Sequence, residues 1–246
     1  AQHPMSPGRV IVPDAPRTMP PFAGNDDRPA GMPPRRVFVI GPTGTIGQAT
    51  VRALLRRGHE VVCFVRPRAG VGGRLAQADM QRLLTGATLR FGDPTDGAWL
   101  RREGLAATPS GGFDALVSCL ASRTGAPADA WAIDHRAHST ALAAAQDAGI
   151  GRMVLLSAIC VQKPLLAFQQ AKLAFERALV DSGLTWSIVR PTAFFKSLAG
   201  QVARVQQGKP FLLFGDGALT ACKPISDDDL GDYIAGCLTD PTRHNR

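Results

Sequence analysis

The chain has 246 residues, a formal net charge of +8, 45% hydrophobic and 20% charged residues. That length buries one full core, and the composition is too apolar for a wholly disordered chain. No uncharged apolar run reaches the roughly 18–20 residues of a membrane-crossing helix. Five cysteines, odd in number and never in a C-x-x-C pair, argue against a disulfide framework or a metal site and for a reducing compartment. The basic excess suits an anionic ligand such as a nucleotide phosphate or a carboxylated substrate. Without Lys/Arg blocks interleaved with aromatics, nucleic acid is not an expected partner.

Nine of the 19 prolines fall in the first 35 residues, where no apolar period is found. Residues 1–34 are therefore expected to form a flexible tail. The tail lacks the apolar centre of a secretory signal, and Asp14, Asp26 and Asp27 argue against a transit peptide. From Arg36 short apolar runs alternate with amphipathic stretches. The runs are Val37 to Ile40, Glu60 to Val65, Thr88 to Phe91, Ala115 to Cys119, Met153 to Ser157 and Thr185 to Val189. Helical patterns include Gly47 to Arg57 and His135 to Ala148. Strands alternating with helices specify a parallel sheet covered on both faces, a doubly wound, Rossmann-like α/β fold over residues 35–246. The last third, from Phe195, adds two helical segments as an extension beside the sheet's carboxyl edge, with substrate-side elements at about 191–230.

The motif Gly41-Pro42-Thr43-Gly44-Thr45-Ile46-Gly47 directly follows the strand VFVI and opens a helix, the context a dinucleotide site requires. Gly41 permits the tight turn, Gly44 lets backbone approach a pyrophosphate, and Gly47 lets helix and strand pack closely, while unpaired N–H groups at the helix start bind phosphate. After the second strand, where an NAD site places a carboxylate, the chain reads Val65-Arg66-Pro67. Arg66 there pairs with a 2′-phosphate, which favours NADPH. Asp93 after the third strand is a candidate adenine contact, with a strand-end turn as its ordinary alternative. Ser118 and Cys119 end the fourth strand with side chains small enough to line a cofactor groove.

After the fifth strand, Ser157 and Lys172 stand where short-chain reductases carry Ser and Tyr-x-x-x-Lys, but the tyrosine position is Phe168. A phenyl ring donates no proton. The chain's one tyrosine, Tyr233, lies far along in a helical pattern suited to core or surface. After the sixth strand, Pro191 and Thr192 are expected to close the nicotinamide pocket. Phe194 and Phe195 offer flat apolar surface, with a place in the core as their ordinary alternative, and Lys163, Lys196 and Lys223 are candidate countercharges for a substrate carboxylate, with plain solvation as theirs. Asp227, Asp228 and Asp229 read as the start of a helix.

The stretches LLSAICVQKPLLAFQQAKLAFE, VRPTAFFKSLAGQV and KPFLLFGDGALTACKPIS resemble the divinyl (proto)chlorophyllide 8-vinyl reductases, an atypical short-chain dehydrogenase/reductase branch related to NmrA-like and isoflavone-reductase-like proteins. The likeness covers about Arg35 to Arg246 and leaves the tail outside. It implies an NADPH-dependent reduction of a vinyl group on a tetrapyrrole in chlorophyll or bacteriochlorophyll synthesis. It further implies cytoplasmic or stromal location, a surface association with membranes suited to the apolar pigment, and a chain that is incomplete at its C-terminus. Such a substrate spreads negative charge over its own macrocycle, which fits the missing tyrosine. Lys172 would hold the nicotinamide ribose and is, with water, a candidate proton source. Two other readings stay open: an NADPH-sensing regulatory or assembly protein without chemistry, and a reductase of a smaller conjugated substrate.

Overall fold

The computed structural model describes residues 33–68, 76–107, 111–212 and 223–246. The tail assigned to residues 1–34 lies, but for its last two residues, outside the described residues, as does Cys222. In chain order the elements are β1 (Arg36–Ile40), α1 (Thr45–Arg56), β2 (Glu60–Val65), α2 (Gln77–Leu83), β3 (Thr88–Phe91) and the short α3 (Gly97–Trp99), which continues as a π-turn, Leu100–Gly104. Then follow β4 (Ala115–Ser118), α4 (Pro127–Ala130), a π-helical stretch (Trp131–Ala137), α5 (His138–Asp147), β5 (Arg152–Leu156), α6 (Ala167–Val180) and β6 (Thr185–Val189). The last elements are β7 (Ala193–Phe194), α7 (Phe195–Gln206), β8 (Pro224–Ile225), α8 (Asp227–Gly236) and a 3₁₀ turn at Pro241–Arg243.

Six strands form one parallel sheet in the order β3-β2-β1-β4-β5-β6. The chain has the Rossmann-like doubly wound fold. Each strand matches its apolar run to within a residue at either end, because strands covered on both faces read as continuous hydrophobic runs. Alternation divides the core: Val37 and Val39 of β1 face α1 and α8, whereas Phe38 and Ile40 face α5 and α6. Leu54 of α1 and Leu230 and Ile234 of α8 are each at most 1% exposed, and burying such a side chain stabilises by about 1.5–3 kcal/mol.

The helical run before β5 begins earlier than its pattern suggests. It opens at Pro127, a residue suited to a first helical turn, and passes through the π-helical stretch before α5. The final third divides in two. β7 pairs with β8 near the sheet's carboxyl edge, while α8 turns back onto α1, so closely that a Cβ on Gly231 would lie 2.6 Å from the Ala49 carbonyl carbon. The last two residues hydrogen-bond to the outer edge of β6, Asn245 N–H to the Trp186 carbonyl at 2.6 Å and Ile188 N–H to the Arg246 carbonyl at 2.7 Å.

Candidate active site

The strand order reverses between β1 and β4, and a crevice opens beyond the carboxyl ends at such a point. A cavity of about 700 Å³ occupies it. Residues 44–47 after β1, Cys119 and residues 121–125 after β4, and residues 156–158 after β5 line its walls, joined by Phe168 and Lys172 of α6, Phe194, Lys196 and Asp227. Gly41 turns the chain at φ +75°, and a Cβ there would meet the Cys119 carbonyl carbon at 2.5 Å. A Cβ on Gly47 would lie 2.9 Å from Pro42 Cα, whereas one on Gly44 would find its nearest atom at 3.7 Å. Gly41 and Gly47 are thus required by packing, and Gly44 faces open space. Helix α1 has neither a side-chain cap nor an acidic residue in its first turn, so its first N–H groups and its dipole are left for an anion.

Behind the cavity lies a buried carboxylate that no sequence motif announces. Asp134, in the π-helical stretch, accepts from Lys172 Nζ at 3.0 Å, with its side chain fully buried and that of Lys172 10% exposed. Its second oxygen accepts from Ser122 Oγ at 2.5 Å, and the Ser122 N–H reaches Oδ1 at 3.2 Å. One carboxylate therefore holds a cavity-lining lysine and a cavity-lining serine from the rear. One turn on, His138 Nδ1 lies 2.8 Å from the Ile133 carbonyl and Nε2 lies 2.7 Å from Ser118 Oγ. Burial, reinforced by the Lys172 charge, pushes the imidazole down to about 4, so it is neutral, donates from Nδ1 to the carbonyl and accepts from the serine. Asp134 belongs to the π-helical stretch, a winding that is frequent at functional sites. A lone Asp with a His four positions on, in an alanine-rich stretch, is no motif, so the sequence alone gives no signal for this pair.

The other expected site residues distribute as follows. Thr45, Ile46 and Lys172 line the cavity, and Thr43 lends its carbonyl to Gln48 Nε2 at 2.9 Å. Cys119 lines it with a thiol that burial raises to about 11 and so keeps protonated. Ser118 is fully buried and turned to His138. Ser157 lines the wall, and its buried Oγ has no hydrogen-bond partner among the described residues. Arg66 is exposed just past β2, outside the lining, and Asp93 forms a strand-end turn, accepting from Thr95 N and Oγ1 at 2.8 and 2.7 Å. Pro191 accepts from the Ile159 N–H and Thr192 Oγ1 donates to the Lys223 carbonyl, neither lining the cavity. Of the two phenylalanines, Phe194 faces the cavity and Phe195 is 56% exposed outside it. Lys163 is exposed and outside the lining, whereas Lys196 lines it and bonds Thr45. Tyr233 lies away from the cavity, half-exposed beneath the Arg243 guanidinium. The described residues contain no cluster of three or more His, Cys, Asp or Glu suited to a metal ion.

A sequence profile described as NAD(P)H-binding matches residues 41–241. The chain belongs to the NAD(P)H-binding family. It is 50% identical over 215 residues to the chloroplastic divinyl chlorophyllide a 8-vinyl-reductase of Oryza sativa subsp. indica, covering 85% of this chain and 52% of that protein. Identity to the Arabidopsis thaliana protein of the same name is 46% over 218 residues, 85% of this chain and 51% of the relative. The chain spans about half the length of the curated relatives it matches. Among solved structures it is similar to the Citrobacter sp. triphenylmethane reductase complexed with NADP(H), at a TM-score of 0.65 and 17% identity, over 85% of this chain and 67% of that one. This last likeness bears on the fold. For an NAD(P)H-binding protein the site is chemically apt: an uncapped helix start faces the cavity for pyrophosphate, and the cavity wall carries a buried hydroxyl with no partner among the described residues.

Proposed function

We propose that this NAD(P)H-binding chain uses NADPH to reduce the 8-vinyl group of divinyl chlorophyllide or protochlorophyllide to ethyl. The identity of 46–50% to relatives bearing that activity in their names carries the reading. It is supported by Phe168, which lines the cavity at the position where a carbonyl reductase has its acid. When bound, NADPH supplies the hydride. The N-terminus of α1 and the loop from Gly41 hold the pyrophosphate, and Arg66, at a strand end without a carboxylate, reads the 2′-phosphate. Lys172, held in place by Asp134, has further N–H donors for the nicotinamide ribose, and Ser157 gives its unused hydroxyl to cofactor or substrate. Phe194 and Phe168 supply apolar wall against which a flat macrocycle packs. The chain's work is then chiefly orientation, bringing donor and vinyl carbon together in a water-poor pocket. The relatives are chloroplastic, which supports a chloroplast setting for the reaction; no described helix is long and apolar enough to cross a membrane.

Anaerobic incubation with divinyl chlorophyllide and either NADPH or NADH tests the reading, with the Soret band and product mass as readouts. A gain of two hydrogens is expected with NADPH and little with NADH, and Arg66→Ala should erode that preference at least tenfold. Binding of NADPH without any conversion would overturn the reductase assignment.

A further inference from the structure

Lys196 belongs to the first turn of α7, on the substrate-side extension, yet its ammonium does not point to open substrate space. Nζ donates to Thr45 Oγ1 at 2.8 Å, 151 positions away in sequence. Thr45 is the first residue of α1, so a full positive charge rests on the positive end of a twelve-residue helix dipole. Left to themselves these two repel. Among the described residues, the first turn of α1 has no acid, and Lys196 forms no ion pair with a carboxylate. Asp227, which lines the same cavity, is not paired with it either. A lysine and an uncapped helix start facing one cavity make sense with a polyanion between them.

We propose that Lys196 clamps the dinucleotide pyrophosphate against the N-terminus of α1 and does not serve a substrate carboxylate. This rests on the reading that NADPH occupies the cavity. The consequence is mechanical as well as electrostatic. Phe194, two residues earlier, is a cavity wall, and Thr192 ties the same segment to the Lys223 carbonyl. A phosphate held by Lys196 therefore rests on the same short segment that carries Phe194, so cofactor and substrate wall share one support.

The test is equilibrium binding to the full chain, wild type beside Lys196→Met and Lys196→Arg, with three probes: NADPH, 2′-phospho-ADP-ribose and adenosine 2′-monophosphate. The first two contain the pyrophosphate and the third does not. Lys196→Met should weaken NADPH and 2′-phospho-ADP-ribose by roughly 10–100-fold, the range for a hydrogen bond between charged groups. It should leave adenosine 2′-monophosphate within about twofold, and Lys196→Arg should restore most of the loss. The side chain is exposed, so thermal unfolding of the variant should match wild type. Unchanged affinity for the two pyrophosphate probes overturns the clamp, as does a raised KM for the pigment with unchanged NADPH affinity. An equal loss for all three probes overturns it too, by pointing to a damaged loop. Failure of the wild-type protein to bind any nicotinamide dinucleotide overturns the cofactor reading itself, and with it this one.

Discussion

Replacing Asp134 by Ala should be among the most damaging single changes to this protein, and its size follows from burial. The Asp134 side chain is fully buried and that of Lys172 is 10% exposed, so the substitution leaves an ammonium in the interior with no counterion. It also leaves the Ser122 hydroxyl and N–H without their acceptor. Breaking a buried pair from one side costs about 3–5 kcal/mol, against a total domain stability of about 5–15 kcal/mol. For a chain of this size that is a fall in Tm of roughly 6–20 °C. Thermal unfolding followed by circular dichroism reads it. The decisive control is the double variant Asp134→Ala with Lys172→Met: removing the stranded charge should recover more than half of the loss, whereas unrelated sites would add their costs. A drop below about 3 °C for the single variant, or a double variant no more stable than Asp134→Ala, would refute the view that one carboxylate holds both cavity residues.

Ser157→Ala removes a buried hydroxyl that has no partner among the described residues. Stability should stay level or rise by up to about 1 kcal/mol while cofactor or substrate binding falls; a clear loss of stability in urea unfolding would make the hydroxyl structural. His138 is held at about 4 in the folded protein against 6.5 when free. Between those values the unfolded chain takes up a proton that the folded one refuses, so stability should decline from about pH 6.5 to pH 4, by about 3 kcal/mol in full, and level off below. His138→Gln should flatten that part of the profile, and an unchanged slope would assign the acid sensitivity to other groups. Two alanine substitutions in the glycine loop should separate packing from binding. Gly47→Ala places a methyl 2.9 Å from Pro42 Cα and should lower Tm and cofactor affinity together. Gly44→Ala, with 3.7 Å to its nearest atom, should fold normally and lose dinucleotide affinity, as paired melting and titration curves will show.

The six strands and the glycine loop could be read from the chain because their causes are local. A parallel strand buried on both faces must be apolar throughout, as Val37 to Ile40 is, and a tight turn between strand and helix must have Gly41 at positive φ. The absence of a carboxylate after Val65 and the phenylalanine at 168 were legible for the same reason, since each is a residue type at a position that the motif defines. The cavity's rear wall was not. Asp134, Ser122 and Lys172 come from three segments whose spacing has no period, and a single aspartate in an alanine-rich helix carries no signal until the chain is folded around it. Nor does sequence say which way a side chain at a strand end turns: Ser118 and Cys119 are neighbours, yet one bonds His138 behind the sheet and the other faces the cavity, because successive strand residues point to opposite faces. Lys196 is the sharpest case. In the sequence it is a lysine beside aromatics on the substrate side, and only the folded chain brings its Nζ to Thr45 at the start of α1. Periodicity and motif chemistry specify elements and the kind of ligand they suit. Which distant groups meet, and which of them are desolvated enough to matter, is decided by long-range packing alone.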